Sequence, residues 1–154
     1  MSAADRPPLD DDTVAFYNRA LIDLSARSGD ARPLEGATHR AAAVSPICGS
    51  EVAVLLTLGD GGHISGFGYE LQACALTRAV VAVLQQAVIG ADLAEVRQAH
   101  QALAAMLAGE TPRWPGAQWE EMNVLAPLRD HRVRHNAMQL PFAAIEKALE
   151  NKAL

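Results

Sequence analysis

The feature of the sequence that most limits the fold is a change of hydrophobic periodicity near the middle of the chain. Every second residue from Glu51 to Leu58 is apolar, which is typical of a half-buried β-strand. The residues of Gly59–Gly62 tolerate positive φ, and His63–Leu71 alternates again. Gln72–Ile89 is then apolar around most of a helical circumference. This stretch therefore predicts an antiparallel hairpin followed by a buried helix.

Helical spacing of apolar residues predicts further helices on both sides of the hairpin. In chain order, the predicted flanking elements are a helix that begins at Asp10–Asp12 and ends at Ser28–Asp30, a connector at Arg32–Gly36, a weak strand at Arg40–Val44, a helix at Asp92–Ala108, a short helix at Trp119–Leu128 and a last helix through Met138–Leu149. Pro141 lacks an N–H and must lie in the first turn of the last helix or kink it.

This order of elements is the pattern of an α+β domain. We expect a small three-stranded antiparallel sheet, with an N-terminal helix and several C-terminal helices packed on one face. Residues 1–9 are expected to be a flexible tail and residues 10–154 a single domain.

Composition excludes several classes of function. Half of the 154 residues are hydrophobic and the net charge is −5, without any Lys/Arg run, which disfavours nucleic-acid and anionic-membrane binding. No uninterrupted apolar run reaches the roughly 18 residues of a membrane span. The motifs of P-loop proteins, serine hydrolases and dinucleotide-binding dehydrogenases are missing, so we do not expect an enzyme.

The chain has only two cysteines, Cys48 and Cys74. Cys48 lies in a loop bounded by Pro46 and Gly49 that leads into a strand, and Cys74 precedes the apolar helix. The free N–H groups at a helix start favour a thiolate. With no export signal, a cytoplasmic, reducing setting is expected, in which these thiols are free, metal-bound or reactive. The two sulfurs converge if both loops lie at one end of the sheet.

Three segments in order resemble the iron–sulfur cluster assembly scaffolds, namely IscU, SufU and the N-terminal domain of NifU. Pro46-Ile47-Cys48-Gly49 is similar to the first cysteine loop of that family, and Ala73–Thr77 is similar to its second. Arg132–Phe142 resembles the segment that carries the third cysteine. The resemblance extends from about Phe16 to Leu149 and implies the scaffold fold.

The chain departs from the family at the remaining ligand positions. Ser50 stands where the family has an aspartate, Ala137 stands at the third cysteine, and Asn136 replaces a histidine. His135 lies one residue upstream. A neutral serine is a poor metal ligand and an alanine is none, so a stable cluster on one protomer is not expected.

The resemblance implies a scaffold that transiently holds a zinc ion or an iron–sulfur cluster through Cys48 and Cys74, with His135 as a third metal ligand. The purified protein could equally carry no bound group. The implied partners are a cysteine desulfurase, which would supply sulfur, and apoproteins that accept clusters. A homodimer that pools four cysteines stays open.

Other interpretations also stay open. The chain could be a divergent member without cluster assembly that acts as a protein-binding or regulatory module. Cys48 and Cys74 could form a disulfide switch or simply be buried thiols. His135 could be a surface or helix-capping residue. Arg132 and Arg134 could belong to a solvated face or form an electropositive rim that lowers a thiol pKa.

Overall fold

The structure, a computed structural model, describes residues 11–151, with side chains described for residues 19–151. The helices are α1 (Asp11–Ala26), α2 (Ala75–Ala87), α3 (Leu93–Leu107) and α4 (His135–Glu150). The strands are β1 (Ala31–Arg32), β2 (His39–Val44), β3 (Glu51–Leu58) and β4 (Ile64–Gln72). Short 3-10 helical segments occupy Asp60–Gly62, Ala117–Asp130 and Arg132–Arg134. The tail predicted for residues 1–9 lies outside the described residues.

The prediction of an α+β fold with a small antiparallel sheet is confirmed, but the sheet has four strands and not three. Its order is β1-β4-β3-β2, and every neighbouring pair is antiparallel. The additional strand is β1, which pairs Ala31 with Glu70 and Arg32 with Tyr69. Two residues are too few to show a periodicity, so the sequence predicted only a connector here.

One face of the sheet forms the core. The register of β3 and β4 opposes Val52 to Leu71, Val54 to Tyr69 and Leu56 to Phe67, and all six side chains are buried. Helix α4 packs against β2 and β3, while α2 contacts both α1 and α4. The alternating pattern of the sequence thus places one continuous apolar surface under the helices.

Two features of the C-terminal half refine the predictions. Trp119, expected in a short helix, is fully buried within the 3-10 segment, and its indole N–H donates to Glu95. Helix α4 begins at His135, so Pro141 lies in its second turn and not in its first. No helix among the described residues is long and apolar enough to cross a membrane.

Gly68 in β4 leaves room for the segment after β1 to cross the outer side of the sheet. A Cβ atom on Gly68 would lie 2.7 Å from the carbonyl oxygen of Arg32 and 2.7 Å from Cβ of Leu34. The segment that follows β1 therefore passes directly over Gly68. Interior glycines in a strand often mark such a close approach of backbone.

We predict that Gly68→Ala destabilises the protein by about 1–3 kcal/mol, because the new methyl group meets backbone that cannot rotate away. Equilibrium urea unfolding measures this loss.

Gly66→Ala is the matched control, because the atoms that its Cβ would approach are side-chain atoms of Thr57 and Leu34. These side chains can change rotamer, so we expect a smaller loss. Equal losses for the two variants would contradict the proposed backbone contact.

Candidate functional site

The loop that carries Cys48 joins β2 to β3 and is closed at its base. The N–H of Ser45 donates to the carbonyl of Ser50 at 2.8 Å, and the N–H of Gly49 donates to the carbonyl of Ser45 at 2.9 Å. Gly49 has φ of 75°, a conformation that glycine adopts without strain. The loop therefore holds Cys48 at its exposed tip.

A buried hydroxyl fixes the backbone at this tip. Ser45 Oγ accepts hydrogen bonds from the N–H groups of Ile47 and Cys48, each at 3.3 Å. Ser45 is 1% exposed, so these bonds are shielded from water. The orientation of Cys48 is set by this serine rather than by packing of its own side chain.

Ser50 connects the two cysteine loops. Its Oγ lies 3.2 Å from Cys48 Sγ and accepts a hydrogen bond from the N–H of Cys74, also at 3.2 Å. The connection follows from the sheet register, because Glu51 at the start of β3 pairs with Gln72 at the end of β4. The structure therefore brings Cys48 and Cys74 together at one end of the sheet.

Cys74 is the N-cap residue of α2 and directly precedes the first turn of that helix. Its Sγ lies 3.5 Å from Thr77 Oγ1. The Thr77 hydroxyl donates to the carbonyl of Ala137 at 2.8 Å. Within α4, Pro141 has no N–H to offer this carbonyl, so Thr77 supplies the missing donor.

Hydrogen bonds lower the pKa of Cys48 from 9.0 to about 7. The largest contribution comes from the Ser45 side chain, followed by the Ser50 side chain and backbone. As a thiol, Cys48 donates to Ser50; as a thiolate, it can receive the Ser50 hydroxyl proton instead, since Ser50 Oγ already accepts from Cys74. The lowered pKa therefore increases the fraction of Cys48 that is thiolate at neutral pH.

The pKa of Cys74 is also lowered, by a balance of opposing effects. Desolvation by burial raises it and is the largest single effect. Hydrogen bonds from the backbone and side chain of Thr77, from the Ser50 side chain and from the Leu76 backbone together outweigh that desolvation. Both cysteines are free and exposed, so buried, inert thiols are ruled out as an interpretation.

The other predicted ligand positions do not join the two cysteines. His135 begins α4, is half-buried, and its Nε2 lies 3.0 Å from the carbonyl of Leu128. Ala137 is buried, and Asn136 Oδ1 is buried without a hydrogen-bond partner in the described structure. Among the residues whose side chains the structure describes (19–151), no group of three or more His, Cys, Asp or Glu could hold a metal ion.

The sequence did not reveal the hydroxyl groups that organise the site. Among the described residues, four polar side chains are buried: Ser28, Ser45, Ser50 and Thr77. Three of these four contact the cysteine segments. The only sequence signal is a serine at each end of the Cys48 loop and a threonine in an otherwise apolar helix.

We predict that Ser50→Ala raises the pKa of Cys48, because the thiolate loses a hydrogen-bond donor. Each unit of increase removes about 90% of the thiolate at a pH well below the pKa, so alkylation at pH 6 slows up to tenfold. Iodoacetamide labelling from about pH 5 to about pH 10 includes the ordinary cysteine pKa. Mass spectrometry then quantifies the labelling of each cysteine and measures the shift.

Thr77→Val serves as the matched control, because it removes the hydroxyl beside Cys74 and leaves the Cys48 loop unchanged. Its profile should change at Cys74 and stay constant at Cys48. A Cys48 profile that responds equally to both substitutions would contradict a local role of Ser50.

Comparison with solved structures identifies similar chains. A nitrogen-fixing NifU-like protein (N-terminal) from Brucella abortus is 32% identical, with a TM-score of 0.78 over 86% of this chain and 91% of that one. No protein-family model matches the sequence, and no curated protein matches it.

Two more distant structures share the fold. One is a protein proposed to be an iron–sulfur cluster assembly scaffold for the SUF system of thermophilic Fervidobacterium islandicum AW-1, 21% identical with a TM-score of 0.74 over 85% of this chain and 94% of that one. The other is a hypothetical protein, 20% identical with a TM-score of 0.75 over 89% of this chain and 98% of that one.

Proposed function

Since the chain belongs to the NifU-like N-terminal family of iron–sulfur cluster assembly scaffolds, we propose that it is itself a scaffold that transiently holds sulfur and metal through Cys48 and Cys74. The observation that carries the proposal is the bridge through Ser50, which joins two exposed thiols of lowered pKa at one end of the sheet. The protein works as a carrier and not as an enzyme.

Cys48 is the acceptor of sulfur. Its thiolate attacks the outer sulfur of a persulfide on a donor cysteine, such as that of a cysteine desulfurase. A bond forms between Cys48 Sγ and that outer sulfur, the S–S bond of the donor breaks, and its electron pair leaves with the donor thiolate. An exposed position at a loop tip and a pKa of about 7 both support this step.

Iron or zinc is cargo at this site. Thiolates are soft donors that suit Zn²⁺ and iron–sulfur units, but a tetrahedral ion needs four ligands. Cys48 and Cys74 supply two. His135 supplies a third only if its ring leaves the Leu128 carbonyl. The other source of ligands is a second protomer, which contributes its own pair of cysteines. Either arrangement holds the metal weakly enough for release to an acceptor apoprotein in the cytoplasm.

Sulfur transfer tests the proposal directly. Incubation with an active cysteine desulfurase and cysteine, without reductant, should add sulfur to Cys48. Peptide mass spectrometry should locate it there, and Cys48→Ser should remove sulfur from this loop and leave Cys74 as the one thiol of the site.

Cys74→Ser is the companion variant, since it keeps the Cys48 loop and its serine contacts. We expect it to retain sulfur on Cys48 but to lose iron and zinc binding. Absence of sulfur on both cysteines, with a desulfurase that is shown to be active on another acceptor, would refute the carrier role.

One finding favours a second candidate, a divergent family member that acts as a protein-binding or regulatory module. Ala137 is buried at the position of the third cysteine, and the described residues form no three-ligand group. Such a module would not need metal, and its melting temperature would be the same with and without zinc, because only a ligand that binds the folded state stabilises it.

Restoring a thiol separates the two candidates. Ala137→Cys places a third sulfur at the start of α4, where the Ala137 carbonyl is already tied to Thr77 beside Cys74. If the protein is a scaffold that lacks a third cysteine ligand, zinc should raise the melting temperature of this variant more than that of the wild type. Ala143→Cys, on the exposed face of the same helix, is the control and should gain none. Equal responses of the two variants would favour the module.

A further inference from the structure

A large open cavity lies apart from the two cysteines, between the C-terminal end of α3 and the segment that leads into α4. Its volume is about 940 Å³. Five of its twelve described lining residues carry guanidinium or imidazole groups: Arg129, His131, Arg132, Arg134 and His135. Of these residues, the scaffold function proposed above involves His135 alone, as a third ligand when its ring leaves the Leu128 carbonyl.

No ion pair with another described residue neutralises the three arginines of the cavity. Elsewhere in the described chain, Arg27 pairs with Glu121 and Arg97 pairs with Glu150. Arg129, Arg132 and Arg134 form no salt bridge among the residues that the structure describes. Three arginines thus line one cavity on a protein whose net charge is −5.

The opposing charges at the cavity are weaker. Asp130 is the one carboxylate among the described lining residues, and it has interactions of its own. The last turn of α3 presents carbonyl groups here, but N–H groups of Ala108, Gly109 and Glu110 already bond to carbonyls of that turn. Among the described residues, the positive charge of three arginines therefore exceeds the negative charge of one carboxylate and of a helix end whose carbonyls are partly hydrogen-bonded.

The start of α4 adds to the positive potential at the cavity. Arg134 is the N-cap residue, and no side chain accepts a hydrogen bond at this end of the helix. His135 and Arg134 line the cavity, so the positive end of a 16-residue helix lies at its wall. Helix starts of this kind bind oxyanions in other proteins.

We propose that this cavity binds a small polyvalent oxyanion of the phosphate or carboxylate class. Guanidinium groups match the geometry of both oxyanions through paired N–H donors. The volume suits a small molecule, within the usual range of about 300–1,000 Å³ for ligand pockets. The described lining contains no Phe, Tyr or Trp, so its ligand contacts are mainly with charged and polar groups.

Isothermal titration of the full chain with pyrophosphate and, separately, with citrate tests the proposal and distinguishes the two chemical classes. All titrations are run at constant ionic strength. We expect saturable binding of one or both ligands, and the tighter ligand identifies the class.

The variant Arg132→Gln with Arg134→Gln should weaken that binding about tenfold or more, because two charge-assisted donors are lost. The control is Arg40→Gln with Arg113→Gln, two exposed arginines outside the cavity lining, and it should bind as the wild type does. Arg129→Gln is a second, milder cavity variant, and circular dichroism verifies that all variants are folded.

Three results would overturn the proposal: neither ligand binds at millimolar concentration, binding persists unchanged in both cavity variants, or sodium chloride alone reproduces the heat. The outcome is independent of the scaffold role, because Cys48→Ser and Cys74→Ser should keep oxyanion binding intact.

Discussion

The pairing of β3 with β4 is the constraint on which the site depends. Because Glu51 opposes Gln72 at the end of this pairing, the residue before one strand lies beside the residues after the other. Ser50 can then accept from the N–H of Cys74 while it contacts Cys48 Sγ. A one-residue slip would turn the apolar face of the hairpin to solvent, so burial of that face also fixes the distance between the two cysteine loops.

A second contact joins Thr77 to Ala137, the position at which the resemblance expects a third cysteine. Pro141 cannot donate to the Ala137 carbonyl, and a buried unpaired carbonyl costs about 1–3 kcal/mol. Thr77 satisfies this carbonyl and lies next to Cys74, so α2 and α4 are joined at the place where the resemblance expects a third cysteine. The position is closed by a hydrogen bond and an alanine rather than by a metal–sulfur bond.

Neutral hydroxyl groups give this site a different chemistry from one built with carboxylates. A serine hydroxyl lowers a thiol pKa by hydrogen bonding and adds no negative charge near the thiolates, whereas a carboxylate would repel them while supplying a metal ligand. Ser45 and Ser50 therefore favour formation of the Cys48 thiolate. Three arginines line a separate cavity near the start of α4, where one carboxylate is present among the described lining residues.

The sequence by itself determined the elements whose signal is local. The alternation over Glu51–Leu58 matches the bounds of β3. The helix predicted from Asp92 is α3, which begins at Leu93, and Asp92 caps it by accepting from the N–H of Glu95 at 2.9 Å. Periodicity and capping involve neighbours within a turn or a strand, so they are readable without the fold.

Only the tertiary structure decided the features that depend on distant residues. The strand β1 exists because β4 offers a free edge, and the ring of His135 is directed to Leu128 by the 3-10 segment that precedes α4. In the bridge from Cys48 to Cys74, Ser50 contacts a residue 24 positions away, and Thr77 reaches a carbonyl 60 residues away. Such contacts are set by the packing of whole elements, and no local pattern in the sequence carries that information.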